Sequence, residues 1–178
     1  MNVNKWGPGG WIFLHTITFN YPEKPTKADK KKYTDFFNMV GGMLPCKYCR
    51  DSYNIYVKHV PINKFTDSRE GMTYWLYYIH NLVNDKVFKD DSTTFNEIVK
   101  KYERFRAGCK KVKKNNDNKK IYGTCGEPKE TKLKDDYINK FVKKAETTYK
   151  PIIKGCITKL MECEENPNKI PHQQRKKK

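Results

Sequence analysis

Met72, Trp75, Leu76, Ile79 and Val83 recur at i, i+3, i+4, i+7 and i+11, a spacing that an α-helix gathers into one continuous apolar stripe. A helix predicted over about residues 66–89 must therefore bury that stripe against other elements, and the rest of the chain supplies more helices. Trp11, Leu14, His15 and Thr18 repeat at steps of three and four behind Trp6-Gly7-Pro8, which reads as a helix entry. From Thr26 a second helix carries Tyr33, Phe36, Phe37 and Val40 on one face, with Gly41-Gly42 as its stop. The third starts at Pro45-Cys46 and ends at about His59, before Pro61, facing inward with Cys49, Tyr53, Tyr56 and Val57. Another follows Ser92 as N-cap, burying Phe95, Ile98, Val99 and Tyr102. No run alternates with a period of two, so the expected class is all-α.

Beyond Cys109 the character changes. Lys110 to Lys120 is basic, Asn-rich and aperiodic, and Tyr122 to Pro128 reads as a loop. From Leu133 to about Met161 helical spacing returns in Ile138, Phe141, Val142 and Ala145, then Pro151 and the apolar Ile152, Ile153, Ile157 and Leu160. The expected organisation is a helical domain over 1–109, a basic flexible linker over 110–130, a helical segment over 131–165 that folds back onto the domain, and a disordered basic tail over 166–178. Hydrophobic residues at 37% and charged ones at 32% fit a chain with part of its length solvated.

No apolar run reaches the roughly 20 residues of a membrane helix, and Met1 to Lys5 lacks the layout of a signal peptide, so the chain reads as a soluble, unsecreted protein without a membrane span. Six cysteines in such a chain point to redox chemistry or metal binding before a structural disulfide framework. The net charge of +17 favours anionic partners and phosphate-bearing ligands. Its lysine runs are those of solvated segments, so nucleic acid is not the expected partner.

Leu44-Pro45-Cys46-Lys47-Tyr48-Cys49 carries the most chemistry. Two thiols three positions apart at a helix start can close a short, reversible disulfide, and the helix amides and dipole stabilise the thiolate that attacks other disulfides. The same spacing suits half of a zinc site. On the predicted helix at 66–89, Thr73, Tyr77, His80, Asn81, Asn84 and Phe88 share a face beside the apolar stripe. Rings, an imidazole and amides on one face can line a flat polar ligand, and Trp11 with His15 offers a comparable pair one helical turn apart.

Trp6-Gly7-Pro8, Trp11-x-x-Leu14-His15, Tyr21-Pro22, Leu44-Pro45-Cys46-x-x-Cys49 and Trp75 followed by His80-Asn81-x-Val83-Asn84 together resemble the Erv/ALR flavin-linked sulfhydryl oxidases, over roughly residues 6–109. The versions encoded by large cytoplasmic DNA viruses share the Trp-Gly-Pro opening. The resemblance implies a four-helix bundle with a short fifth helix, FAD as cofactor, and Cys46 and Cys49 as the catalytic pair. Cys49 would lie against the flavin in charge-transfer contact and Cys46 would exchange with substrate. It further implies that Gly7, Trp11, His15, His80, Asn81, Val83 and Asn84 bind FAD, with Lys86 and Lys89 near its phosphates. Reduced protein thiols would be the substrate, O2 the electron acceptor and H2O2 the product. A homodimer follows by the same resemblance, as does a location in the host cytoplasm or virion.

One departure stands out. The family's disulfide around its fifth helix would join Cys109 to position 92, which is Ser92 here. Cys109, Cys125, Cys156 and Cys163 then allow three complete pairings, and the sequence does not choose among them. Cys156 and Cys163 in one unbroken helix would have Cα atoms about 10 Å apart, too far for a disulfide. Either the helix ends between them or they are not partners; a C-terminal pair would be a shuttle delivering electrons to Cys46 or a structural clasp fastening the segment. The chief alternative is a zinc-binding basic module on nucleic acid, with Cys46, Cys49, Cys109 and Cys125 as ligands. That reading leaves Trp11, His15 and the His80-Asn81-Asn84 face without a role and lacks a second closely spaced ligand pair. A thioredoxin-like protein would need a strand before the Cys pair, and a purely structural helical protein would make the cysteines incidental.

Overall fold

The computed structural model describes residues 1–89, 92–109, 125–128 and 134–164. Among them are six α-helices: α1 Val3–Phe19, α2 Lys27–Met43, α3 Lys47–His59, α4 Arg69–Lys86, α5 Phe95–Glu103 and α6 Asp135–Glu164. A single 3-10 turn, Ile62–Phe65, joins α3 to α4. Of the linker expected over 110–130 only Cys125–Pro128 is described, and the tail over 166–178 lies outside the described residues.

α4 is the central rod, touching α1, α3, α5 and α6. Its predicted stripe faces the core: Met72, Trp75, Leu76 and Ile79 are completely buried, each such side chain contributing about 1.5–3 kcal/mol. The Trp75 indole still finds an acceptor, donating to the Val60 carbonyl at 2.8 Å, and meets Phe37 of α2 edge-on at 5.2 Å.

Several boundaries differ from the sequence reading, each for a local reason. α1 begins at Val3, ahead of Trp6, because the Asn2 side chain accepts the Asn4 N–H at 3.0 Å. α2 runs through Gly41-Gly42 and stops only at Leu44, which precedes Pro45 and takes the extended geometry a residue before proline favours. Gly41 serves packing instead: a Cβ there would come within 2.9 Å of the Tyr53 ring on α3 and 2.0 Å of Asn54 Oδ1. α4 starts at Arg69 under a Ser68 cap and ends at Lys86, so Phe88 and Lys89 lie beyond it. Ser92 does not cap α5; Thr94 does, in a capping box with Glu97, because only Thr94 has a glutamate three residues on.

Where a loop was expected, β2 Cys125–Pro128 pairs antiparallel with β1 Ala107–Cys109, setting the backbones of Cys109 and Cys125 opposite each other. This pair bridges the point at which the helical domain was expected to end. α6 docks on the bundle through Ile138, Phe141, Ala145, Tyr149, Ile153 and Cys156, all buried. Lys144 pairs with Glu70 near the start of α4 at 3.0 Å, and Tyr149 packs against Phe65 with ring centroids 5.6 Å apart. α6 continues unbroken past Pro151 and through both Cys156 and Cys163. The rise of an α-helix then sets those two about 10 Å apart, which excludes a disulfide between them.

Candidate active site

The cysteine pair is built by the chain reversal between α2 and α3. Pro45 ends one helix, and Cys46, extended at φ −141° and ψ 123°, caps the next. Its Sγ accepts the Cys49 N–H at 3.4 Å, as a serine oxygen would at an N-cap. Arg50 fixes the approach by donating to the Leu44 carbonyl at 2.6 Å. Both sulfurs are free thiols and half-buried.

Their acidities are driven apart. A hydrogen bond from the Cys49 thiol, then the amides of Cys49 and Tyr48, hold Cys46 below the ordinary thiol range. Burial pushes Cys49 up to about 11, helped by its hydrogen bond to Cys46 and by Cys46 negative charge, while Lys86 acts in the opposite sense. In the reduced pair Cys46 is therefore the more acidic thiol and Cys49 the one that keeps its proton in reserve. Lys86 reaches this end of α3 from α4, where its ammonium contacts the Ser52 hydroxyl.

A second cluster forms where α1 meets α4. Trp11 stacks on His80, with ring centroids 3.8 Å apart and planes 12° from parallel. One turn along α1, His15 is fully buried and shares a hydrogen bond with His80, Nε2 to Nδ1 at 3.2 Å. Burial, then His80 and Lys101, hold its pKa down to about 3, so the imidazole is neutral. The His15 ring also stacks on Tyr102 of α5 at 4.9 Å. His15 Nδ1 and Trp6 Nε1 are buried without a hydrogen-bond partner. Such an atom is costly to leave unsatisfied and marks a place for a polar ligand.

Of the other predicted residues, Asn81 and Asn84 line a cleft beside this cluster. Val83 is half-buried, and Lys86 and Lys89 are exposed. Gly7 is buried, but a Cβ there would meet only Val3, at an ordinary 3.4 Å, so the chain's own packing does not require glycine. The sequence reading gave Tyr102 only a core role and did not single out Ser52. The signal for Tyr102 was its place as an inward ring on the helix following the His80 face; Ser52, a lone small residue, carries no such signal. Among the described residues, no three His, Cys, Asp or Glu side chains converge as a metal ion would require. Cys109 and Cys125 oppose each other only as backbone in β1 and β2.

A helical bundle with a Cys-x-x-Cys at one helix start and, where α1 meets α4, a cluster of flat rings with an open polar valence, fits a class of thiol-disulfide proteins that hold a planar ligand. The sequence model of the Erv1 / Alr family matches residues 8–106, more than half of the chain, and the chain belongs to that family. It is 39% identical over 85 residues to the probable FAD-linked sulfhydryl oxidase R368 of Acanthamoeba polyphaga mimivirus, an alignment covering 47% of this chain and 59% of that protein. It is 35% identical over 83 residues to the FAD-linked sulfhydryl oxidase ERV1 of Arabidopsis thaliana, covering 47% of this chain and 42% of that one. The chain thus spans only about half the length of these relatives.

Among solved structures, the yeast Erv1 core superposes with a TM-score of 0.53 at 27% identity, over 57% of this chain and 84% of that chain. The FAD binding domain of Erv1 from Saccharomyces cerevisiae gives 0.54 at 28% identity, over 57% of this chain and 94% of that one. The all-helical class and the family read from the sequence both hold. α6 lies outside the matched residues.

Proposed function

We propose that the chain is an FAD-dependent sulfhydryl oxidase that makes disulfide bonds in protein thiols, with Cys46 and Cys49 as its catalytic pair. The observation that carries this reading is the placing of two thiols at the start of α3, where Cys46 caps the helix and its Sγ accepts the Cys49 N–H, with the acidity of Cys46 raised and that of Cys49 lowered to match. The family membership and the relatives' names support it.

In the oxidised pair, a substrate thiolate attacks Cys46 Sγ; a mixed disulfide forms, the Cys46–Cys49 bond breaks, and Cys49 leaves as thiolate. A second substrate thiolate then attacks the mixed disulfide at the substrate sulfur, completing the substrate disulfide and releasing Cys46. Burial raises Cys49 most, and two further influences come from Cys46 itself. Once Cys46 is bonded to substrate those two vanish, leaving burial opposed by Lys86, so Cys49 is a better acid there than in the reduced pair.

FAD, when bound, supplies the two-electron chemistry that returns the pair to the disulfide and passes the electrons to O2, giving H2O2. Trp11, His15, His80, Asn81 and Asn84 would hold it, with Gly7, Val83, Lys86 and Lys89 at its edges. The open valence on His15 and the stacked Trp11 and His80 rings fit such a ligand. A homodimer belongs to the same proposal, supported by apolar Phe13 of α1 and Met43 of α2, which are 61% and 76% exposed. So does residence in a host cytoplasm or virion, supported by viral relatives from a mimivirus and an iridescent virus.

The purified protein should show the visible absorption of a flavin. Cys49→Ser should retain that colour while losing oxygen consumption with dithiothreitol. Colourless protein that cannot be loaded with FAD, or a Cys49→Ser variant with full turnover, would overturn the reading.

A further inference from the structure

Cys109 ends β1 and Cys125 begins β2, and the antiparallel register sets the two directly opposite each other. They stand at the end of the sheet where the chain leaves β1 and re-enters at β2. Opposed residues in such a ladder have Cα atoms about 4.5–5.5 Å apart, inside the roughly 4.4–6.8 Å usual for a disulfide. Strands of three and four residues make a pair that is marginal by itself in water. A covalent cross-link makes such a pair durable.

The cysteines of α6 offer no competing arrangement. Cys156, 4% exposed, is a free thiol of the core, and Cys163 lies about two turns further along the same unbroken helix. Of the three complete pairings of Cys109, Cys125, Cys156 and Cys163, one spans the helix from Cys156 to Cys163 and the other two need a bonded Cys156. The unbroken helix excludes the first and the buried thiol the others, whereas the strand register brings Cys109 and Cys125 together at no cost to either.

We propose that Cys109 and Cys125 form a structural disulfide that staples β2 to β1, with Cys156 and Cys163 outside any bond within the chain. β1 follows α5 within four residues, and α5 touches α6, so the staple ties the stretch leading to α6 back to the helix on which α6 packs. The oxidant is another disulfide, protein or small molecule. The Cys109 thiolate attacks one of its sulfurs, giving a mixed disulfide and releasing one thiolate; the Cys125 thiolate then attacks Cys109 Sγ, forming the staple and releasing the second. The two electrons lost by the cysteines, with their two protons, end on the two released thiols. None of this depends on the flavin reading, since any disulfide of sufficient potential completes the exchange.

The test is disulfide mapping of the full chain, equilibrated with reduced and oxidised glutathione, blocked with N-ethylmaleimide, digested and read by mass spectrometry. Two peptides joined through Cys109 and Cys125 should appear and separate on reduction, and Cys163→Ser should leave that bond intact. Cys109→Ser, Cys125→Ser and the double variant should melt lower than the parent by one common shift, about 5–10 °C. With dithiothreitol present that difference should vanish, which a packing role of the two residues would not produce. Alkylation of both Cys109 and Cys125 in the parent, or a bond from either to Cys156 or Cys163, would overturn the pairing. A parent that maps as bonded yet melts like its variants without reductant would overturn the structural role.

Discussion

The Tyr149 hydroxyl of α6 lies 3.0 Å from Ser68 Oγ, the same oxygen that accepts the Gly71 N–H at 3.1 Å to cap α4. One serine therefore starts the central helix and fastens the C-terminal helix to it. Gly71 makes this possible: a Cβ there would lie 2.5 Å from the Phe65 carbonyl and 2.5 Å from the Tyr149 ring. Neither the main-chain oxygen nor a ring buried in the core can yield that much.

Gly71→Ala should accordingly destabilise the protein by about 1–3 kcal/mol, the usual cost of overpacking. Tyr149→Phe keeps the ring and the Ser68 cap but loses the hydroxyl pair, for about 1 kcal/mol. Chemical denaturation of the two variants checks both; a Gly71→Ala protein as stable as the parent would mean that α6 is not seated on α4 in this way.

The opposed acidities of the cysteine pair predict an order of reaction. With iodoacetamide near neutral pH, the reduced protein should be alkylated first at Cys46, whose pKa is lowered, and Cys49 should resist until the pH nears its value of about 11. Cys46→Ala removes both the hydrogen bond and the charge that raise Cys49, so in that variant Cys49 should react at lower pH than in the parent. Mass spectrometry of peptides across a pH series reads both outcomes. Equal rates at the two sulfurs would contradict the assignment of entry and reserve thiols.

His15 makes stability depend on pH. Its folded pKa of about 3 lies below the ordinary 6.5, so the unfolded chain binds a proton that the folded one refuses. The stability tied to His15 is therefore complete above about pH 6.5 and falls as the pH drops toward 3, by at most about 1.4 kcal/mol per pH unit. His15→Gln cannot take up that proton and should show a flatter profile in urea melts between pH 7 and 4. Parallel profiles would mean that the imidazole is not buried in its neutral form.

The fold and the heart of the site could be read from the chain because they rest on local patterns. The Met72 to Ile79 stripe survives as the core of α4 because a helical period leaves those side chains no other side to face. Cys46 and Cys49 are placed by Pro45 and by the start of α3, all within a few residues. What the sequence hid depends on contacts across long separations. Gly41 looked like a stop because its close partners, Tyr53 and Asn54, belong to the next helix. The pairing of β1 with β2 joins residues on either side of an aperiodic lysine-rich stretch, where no alternation announces a strand. Tyr102 beside His15, and α6 along α4, are products of tertiary packing that no spacing rule encodes.

Phe88 shows a strain that the sequence could not announce. It has φ 54°, the left-handed conformation, while its N–H donates to Asp85 and the next N–H, from Lys89, donates to the Asn84 carbonyl. These are the bonds of a helix terminus at which glycine normally sits. A side chain in that conformation costs about 1–2 kcal/mol, and the Phe88 ring, 89% exposed, gains little packing to offset it. Phe88→Gly should relieve the strain; after the greater chain entropy of glycine is subtracted, the gain is about 0.5–1 kcal/mol, or about 2 °C in melting temperature. Phe88→Ala retains the Cβ and should leave the melting temperature near that of the parent. A glycine variant that melts lower would show instead that the exposed ring is held by contacts worth more than the strain, and flavin titration of that variant would tell whether those contacts are to the ligand.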